Sequence, residues 1–272
     1  MKLRFPNIFL LLQQEGFVFR SSITQGLTAL RRAREDDKGH CYSAFFNLSI
    51  GLERLLKVIM IIDHMCRNEM IPPSVRQIKS YGHEILQLFE ATQEINVRHR
   101  PGQPIKLSKC EHDLFSFLDE FGTGARYYNV NELSGASQGR DPLSAWAGVL
   151  NSILDENNLL KTANSRREKA VVQASLISPD VFVVAHGLDR RPLTLEDAYA
   201  TMRVHDLACK YAVYHVVRVL AELRDLTMTL SHLAGAIDRT QGKDIPTVPS
   251  MHEFLSFVDT DKRAILNKMR WQ

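Results

Sequence analysis

Residues 42–62, YSAFFNLSIGLERLLKVIMII, constrain this fold more than any other part of the chain. Apolar side chains recur at three- and four-residue steps through Tyr42, Phe45, Phe46, Leu48, Leu52, Leu55, Leu56, Ile59 and Ile62, which is the period of one broad helix face. Asn47, Glu53, Arg54 and Lys57 leave only a narrow polar strip, so the segment predicts a helix at the centre of the core. Glu53 stands four residues ahead of Lys57, the favourable order for a helical ion pair worth about 0.3 kcal/mol.

The rest of the chain predicts more helices. Residues 17–35 form a first one, with Leu27 and Leu30 inward and Arg31, Arg32 and Arg34 at its basic end, where cations suit the helix dipole. DDKG at 36–39 is a turn. Pro72 and Pro73 make residues 67–80 a loop, and a helix follows over 81–92. NVRHRPGQPIKLSK, residues 96–109, is the most concentrated positive loop. Ser108 with Glu111 is a capping box ahead of a helix to Phe121. SGASQGRDPLS at 134–144 marks a boundary, so residues 1–134 are the core and 135–272 an extension that packs on it and can dimerise. Beyond it a helix is expected over 142–160, then a polar break at ANSRREK. VFVV at 181–184 reads as a short buried strand, a helix or an extended piece. Thr194 caps a helix running to about Ala234, near 60 Å long at 1.5 Å per residue. A last helix covers 251–272.

Composition narrows the function classes. Charged residues at 24% and hydrophobic ones at 44% are ordinary for a globular chain. The net charge is +3, too small for a global nucleic-acid footprint, so any RNA contact must come from a local patch. Cys41, Cys66, Cys110 and Cys209 have no CxxC spacing, which points to free thiols in a reducing compartment and no zinc. The basic start and apolar run at 8–12 are cut by Gln13, Gln14 and Glu15, unlike a signal peptide. No run approaches the ~20 apolar residues that span a bilayer, so a cytoplasmic protein without membrane contact is expected. P-loop, GxGxxG, HExxH and GxSxG motifs are absent, and no cofactor is implied. His205 and Cys209 share a helix face, which without further ligands reads as burial, not metal binding.

GLERLLK at 51–57, YGHEILQL at 81–88 and GARYYN at 124–129 together resemble the HEPN (higher eukaryote and prokaryote nucleotide-binding) superfamily, over roughly residues 40–133. The resemblance implies an all-α protein with a HEPN-like helical bundle core and additional C-terminal helices, one of them long. It further implies an RNA-acting protein of a bacterial defence, stress or toxin–antitoxin system, a homodimer, with an antitoxin or other protein partner. Active members of the superfamily are metal-independent endoribonucleases with Arg, four to six residues, then His. His moves a proton at the ribose hydroxyl or leaving oxygen, and Arg holds the developing phosphate charge.

Arg126 has no His at that spacing, which opens the alternative of a non-catalytic dimeric regulatory or scaffold module. Arg34 with His40 and Arg76 with His83 do fit the spacing as catalytic pairs, although 22 Arg and 10 His supply about two such pairs by chance. Arg98, Arg100, Lys106 and Lys109 of the positive loop, with Arg126 and Tyr127, are the candidate RNA-binding residues, through bidentate phosphate contacts and base stacking.

Overall fold

The computed structural model describes residues 5–136, 139–177 and 185–272. Among them are ten α-helices, two 3₁₀ segments and no strand. Helix α1 (Asn7–Arg32) and helix α2 (Lys38–Arg67) form an antiparallel hairpin. Two glycines set how close they come: a Cβ on Gly26 would stand 2.7 Å from Leu48 Cγ, and one on Gly51 would stand 2.6 Å from Ile23 Cγ1. Both are too short for carbon contacts, so the hairpin closes only where side chains are missing.

Helix α2 is the central rod that its periodicity predicts. Leu52, Leu55, Leu56, Ile59 and Ile62 are fully buried, and α2 packs against α1, α4 (Ile85–His99), α5 (Lys109–Thr123) and α9 (Leu195–Thr240). At one end Phe45 meets Phe117, Trp146 and Phe121 at ring-centroid distances of 4.6, 5.2 and 5.3 Å, in tilted and edge-on contacts. Trp146 belongs to α7 (Pro142–Glu156), so helices on both sides of residue 134 share one apolar core. Helix α9 has 46 residues and is about 69 Å long. It contacts α1, α2, α4, α5, α7, α8 (Leu160–Ser175) and the C-terminal elements.

Several boundaries differ from the sequence reading. Helix α1 starts at Asn7 because Gln13, Gln14 and Glu15 lie on its outer face while Leu12, Gly16 and Phe19 bury the inner one. The expected loop at 67–80 contains a short helix, α3 (Val75–Ser80), started by a capping box of Ser74 and Gln77. Helix α4 continues to His99, so Arg98 and His99 are helical. The ANSRREK stretch is not a break: it lies within α8, which buries Ala163, Ala170 and Ala174. The expected terminal helix is a 3₁₀ segment (Met251–Val258) and a short helix, because Asp261 caps a new start. The latter is α10 (Lys262–Asn267), after α6 (Tyr128–Leu133) in the first half. VFVV at 181–184 lies outside the described residues. No helix among the described residues is long and apolar enough to cross a membrane.

Candidate functional site

Two residues of the polar strip of α2, Glu53 and Lys57, meet the α3–α4 connection, and the two elements bring three chemically capable side chains together. Gly82 ends α3 with φ +70°, a left-handed turn that glycine adopts without strain. The next residue, His83, is thereby delivered to α2. Its Nδ1 lies 2.8 Å from Glu53 Oε1 and 3.3 Å from Lys57 Nζ. Lys57 Nζ also donates to Glu53 Oε1 at 2.7 Å. Burial pushes the Glu53 carboxyl up, and the hydrogen bonds from Lys57 and His83 outweigh it, leaving the carboxyl below its ordinary value. An ionised Glu53 favours the tautomer with the proton on Nδ1, so Nε2 carries the lone pair. The His83 side chain is 79% exposed, and solvent or a substrate can reach it. A histidine oriented by a carboxylate, beside a lysine, can exchange a proton and attract phosphate charge.

Further along the same helix Asp63, with 2% of its side chain exposed, gathers three partners. Arg67 donates through Nη2 at 2.7 Å, Arg98 through Nη1 at 2.9 Å, and His99 Nε2 lies 2.7 Å away. Burial raises the Asp63 carboxyl, but the His99, Arg67 and Arg98 hydrogen bonds bring it below its ordinary value. Arg98, read from the sequence as a phosphate contact, is engaged by a carboxylate and ties α4 to α2. Arg100 is also held inside the protein, by Gln103 at 2.8 Å and Asp225 at 3.4 Å. Lys106 and Lys109 are exposed. The Lys106 carbonyl accepts from Arg218 at 2.9 Å.

The other sequence candidates are dispersed. Arg34 forms two 2.9 Å hydrogen bonds to Asp36, whereas His40 Nδ1 is 2.7 Å from Asp37 Oδ2. The two line different clefts. Arg76 is exposed in the first turn of α3. Arg126 lies over the Tyr127 ring at 5.1 Å, and both are exposed, an arrangement on which a base could stack.

One polar cluster has no counterpart in the sequence reading. Glu111, the capping-box residue of α5, is 1% exposed and meets His215 Nδ1 at 2.8 Å and the Arg218 guanidinium. Burial raises its carboxyl, and the His215 and Arg218 hydrogen bonds reverse that to about 2. Cys110 Sγ is 3.5 Å from His215 Nε2, an order of thiol, imidazole and carboxylate found in cysteine hydrolases. Here the thiol is fully buried, and burial pushes it up to about 12, so it holds α5 to α9 and is no nucleophile. A residue separation of 104 left no local signal for it. No group of three or more metal-ligating side chains gathers among the described residues.

Comparison with protein-family models, curated proteins and solved structures yields no match to this chain.

Proposed function

We propose that the protein is a HEPN-like, metal-independent endoribonuclease, a cytosolic RNA-acting component of a bacterial defence, stress or toxin–antitoxin system. The observation that carries this reading is the meeting of Glu53, Lys57 and His83. All three lie in the stretches that resemble the superfamily, and they form an acid–base group on an accessible surface. In the proposed mechanism Glu53 orients the imidazole and His83 Nε2 takes the proton of a ribose 2′-hydroxyl, whose oxygen bonds to the adjacent phosphorus as the bond to the 5′-oxygen breaks and that oxygen takes a proton from water. Lys57 then offsets the charge that grows on the phosphate. Arg76 and the exposed Arg126–Tyr127 pair are the residues proposed to guide the strand. Lys57 takes the cationic role that the Arg-then-His spacing assigns to an arginine.

The test is cleavage of structured and single-stranded RNAs in EDTA by the purified protein. Cleavage should persist in EDTA, fall by about 10²–10⁴-fold in His83→Ala, and fall less in Lys57→Met. His40→Ala should retain most of it, since His40 and Arg34, its partner by spacing, line different clefts. Cleavage that EDTA abolishes, or that survives His83→Ala, would overturn the assignment.

A second reading, a non-catalytic dimeric scaffold, has its own support in the apolar side chains that α1 and α2 expose. Leu10, Leu11, Phe17 and Val18 of α1, with Phe46 and Ile50 of α2, are each 39–58% exposed. A folded dimer without RNA cleavage is the result that would favour it.

A further inference from the structure

The last turn of α1, the turn after it and the first half of α9 border a cleft of about 450 Å³, remote in sequence from His83. Its walls carry Arg31, Arg32, Arg34 and Arg203 against one carboxylate, Asp206. Arginines in the last turn of a helix suit its dipole, which accounts for Arg31 and Arg32. It does not account for Arg203, an exposed residue well inside α9 that forms no ion pair among the described residues. Arg34 reaches the same place from the turn, its Nη2 lying 3.2 Å from Met202 Sδ.

Two of the carboxylates near these cations are already shared. Asp206 meets Arg31 at 2.9 Å, Lys210 at 3.3 Å and Arg166 at 3.7 Å. Asp36 is held by Arg34. Four arginines therefore line the cleft with one carboxylate, Asp206, while Glu35 and Asp36 line the neighbouring cleft with Arg34, in a chain whose whole balance is +3. Arg31 is the most telling of them. Its side chain is 7% exposed, and its Nε is buried with no hydrogen-bond partner among the described residues. Leaving a buried donor unmade costs about 1–3 kcal/mol.

We propose that this cleft binds the diphosphate group of a small ligand. Guanidinium groups pair with phosphate oxygens two at a time, and two phosphoryl groups bring about three to four negative charges, enough oxygens and charge to engage several of the cleft's four arginines. The volume exceeds that of a single ion and falls in the range of small-molecule sites. Met202 and Met269 give it two flexible apolar edges. The inference does not depend on the His83 reading.

Isothermal titration of the full chain with inorganic pyrophosphate, ADP and adenosine at low and moderate salt tests it. Pyrophosphate and ADP should bind, adenosine should not, and affinity should fall as salt rises. Similar affinities for pyrophosphate and ADP would assign recognition to the diphosphate alone, and tighter ADP would add the nucleoside. Arg203→Gln and Arg34→Gln should each weaken pyrophosphate binding at least about tenfold, with unchanged melting temperatures. Both lie near the surface, which keeps the test free of the folding risk at Arg31. Absence of pyrophosphate binding, or binding unaltered in both folded variants, would overturn the proposal. So would much tighter binding of a 5′-triphosphorylated RNA than of any small ligand, since the occupant would then be an RNA end.

Discussion

At Gly82 a backbone angle and a catalytic proposal meet. A Cβ there would touch nothing within 4 Å, so Gly82→Ala acts only through the positive φ, at about 1 kcal/mol. Relaxing that angle turns His83 away from Glu53. RNA cleavage should therefore fall by more than the small loss of stability explains, which calorimetry beside the cleavage assay would show. Asp63→Asn is the opposite case. It leaves Arg67, Arg98 and His99 around a neutral amide, and a loss of about 3 kcal/mol is expected in denaturant melts. The YGH motif and the Glu53–Lys57 spacing were visible in the sequence, but not that they touch. That contact depends on a short helix and a left-handed turn, where the two prolines suggested only a loop. The roles of Arg98 and Arg100 were likewise hidden, because Asp63 and Asp225 are far from them in the chain.

Among the elements, those with a strong apolar period were readable. Helix α2, the capping box of α5 and the Thr194 start of α9 all stand where the spacing put them. Helix α8 was missed because alanines line its buried stripe, and a pattern of small residues among charges has little hydrophobic contrast. Helix α1 was read only from residue 17, because Gln13, Gln14 and Glu15 interrupt the apolar run before it, whereas the helix begins at Asn7. The hairpin of α1 and α2 depends on Gly26 and Gly51. Gly51→Ala would press a methyl group against Ile23, whose backbone nitrogen is 3.0 Å from the added carbon. Separation of the helices should cost about 1–3 kcal/mol and lower the melting temperature in a thermal denaturation scan. The glycine of GLERLLK thus has a packing reason independent of any chemistry at Glu53.

For the whole molecule, buried carboxylates set the acid limit of stability. Glu111 and Asp63 have folded values below their unfolded ones, so their contribution is complete above the unfolded values near pH 4 and is lost below them, as pH falls through the folded values. Glu111 alone, falling to about 2, should account for about 2–3 kcal/mol of that loss. Unfolding free energies measured between pH 5 and pH 2 should decline accordingly, and Glu111→Gln should flatten the decline. The long helix α9 has a kinetic consequence of its own. Its middle turns, with Val213, Val216, Leu220, Leu223 and Leu226 buried, touch helices from both halves of the chain, so no single neighbour can peel away and bare them. Their amide hydrogens should exchange with deuterated solvent only when the entire protein opens, while those at the two ends of the same rod exchange through local fraying.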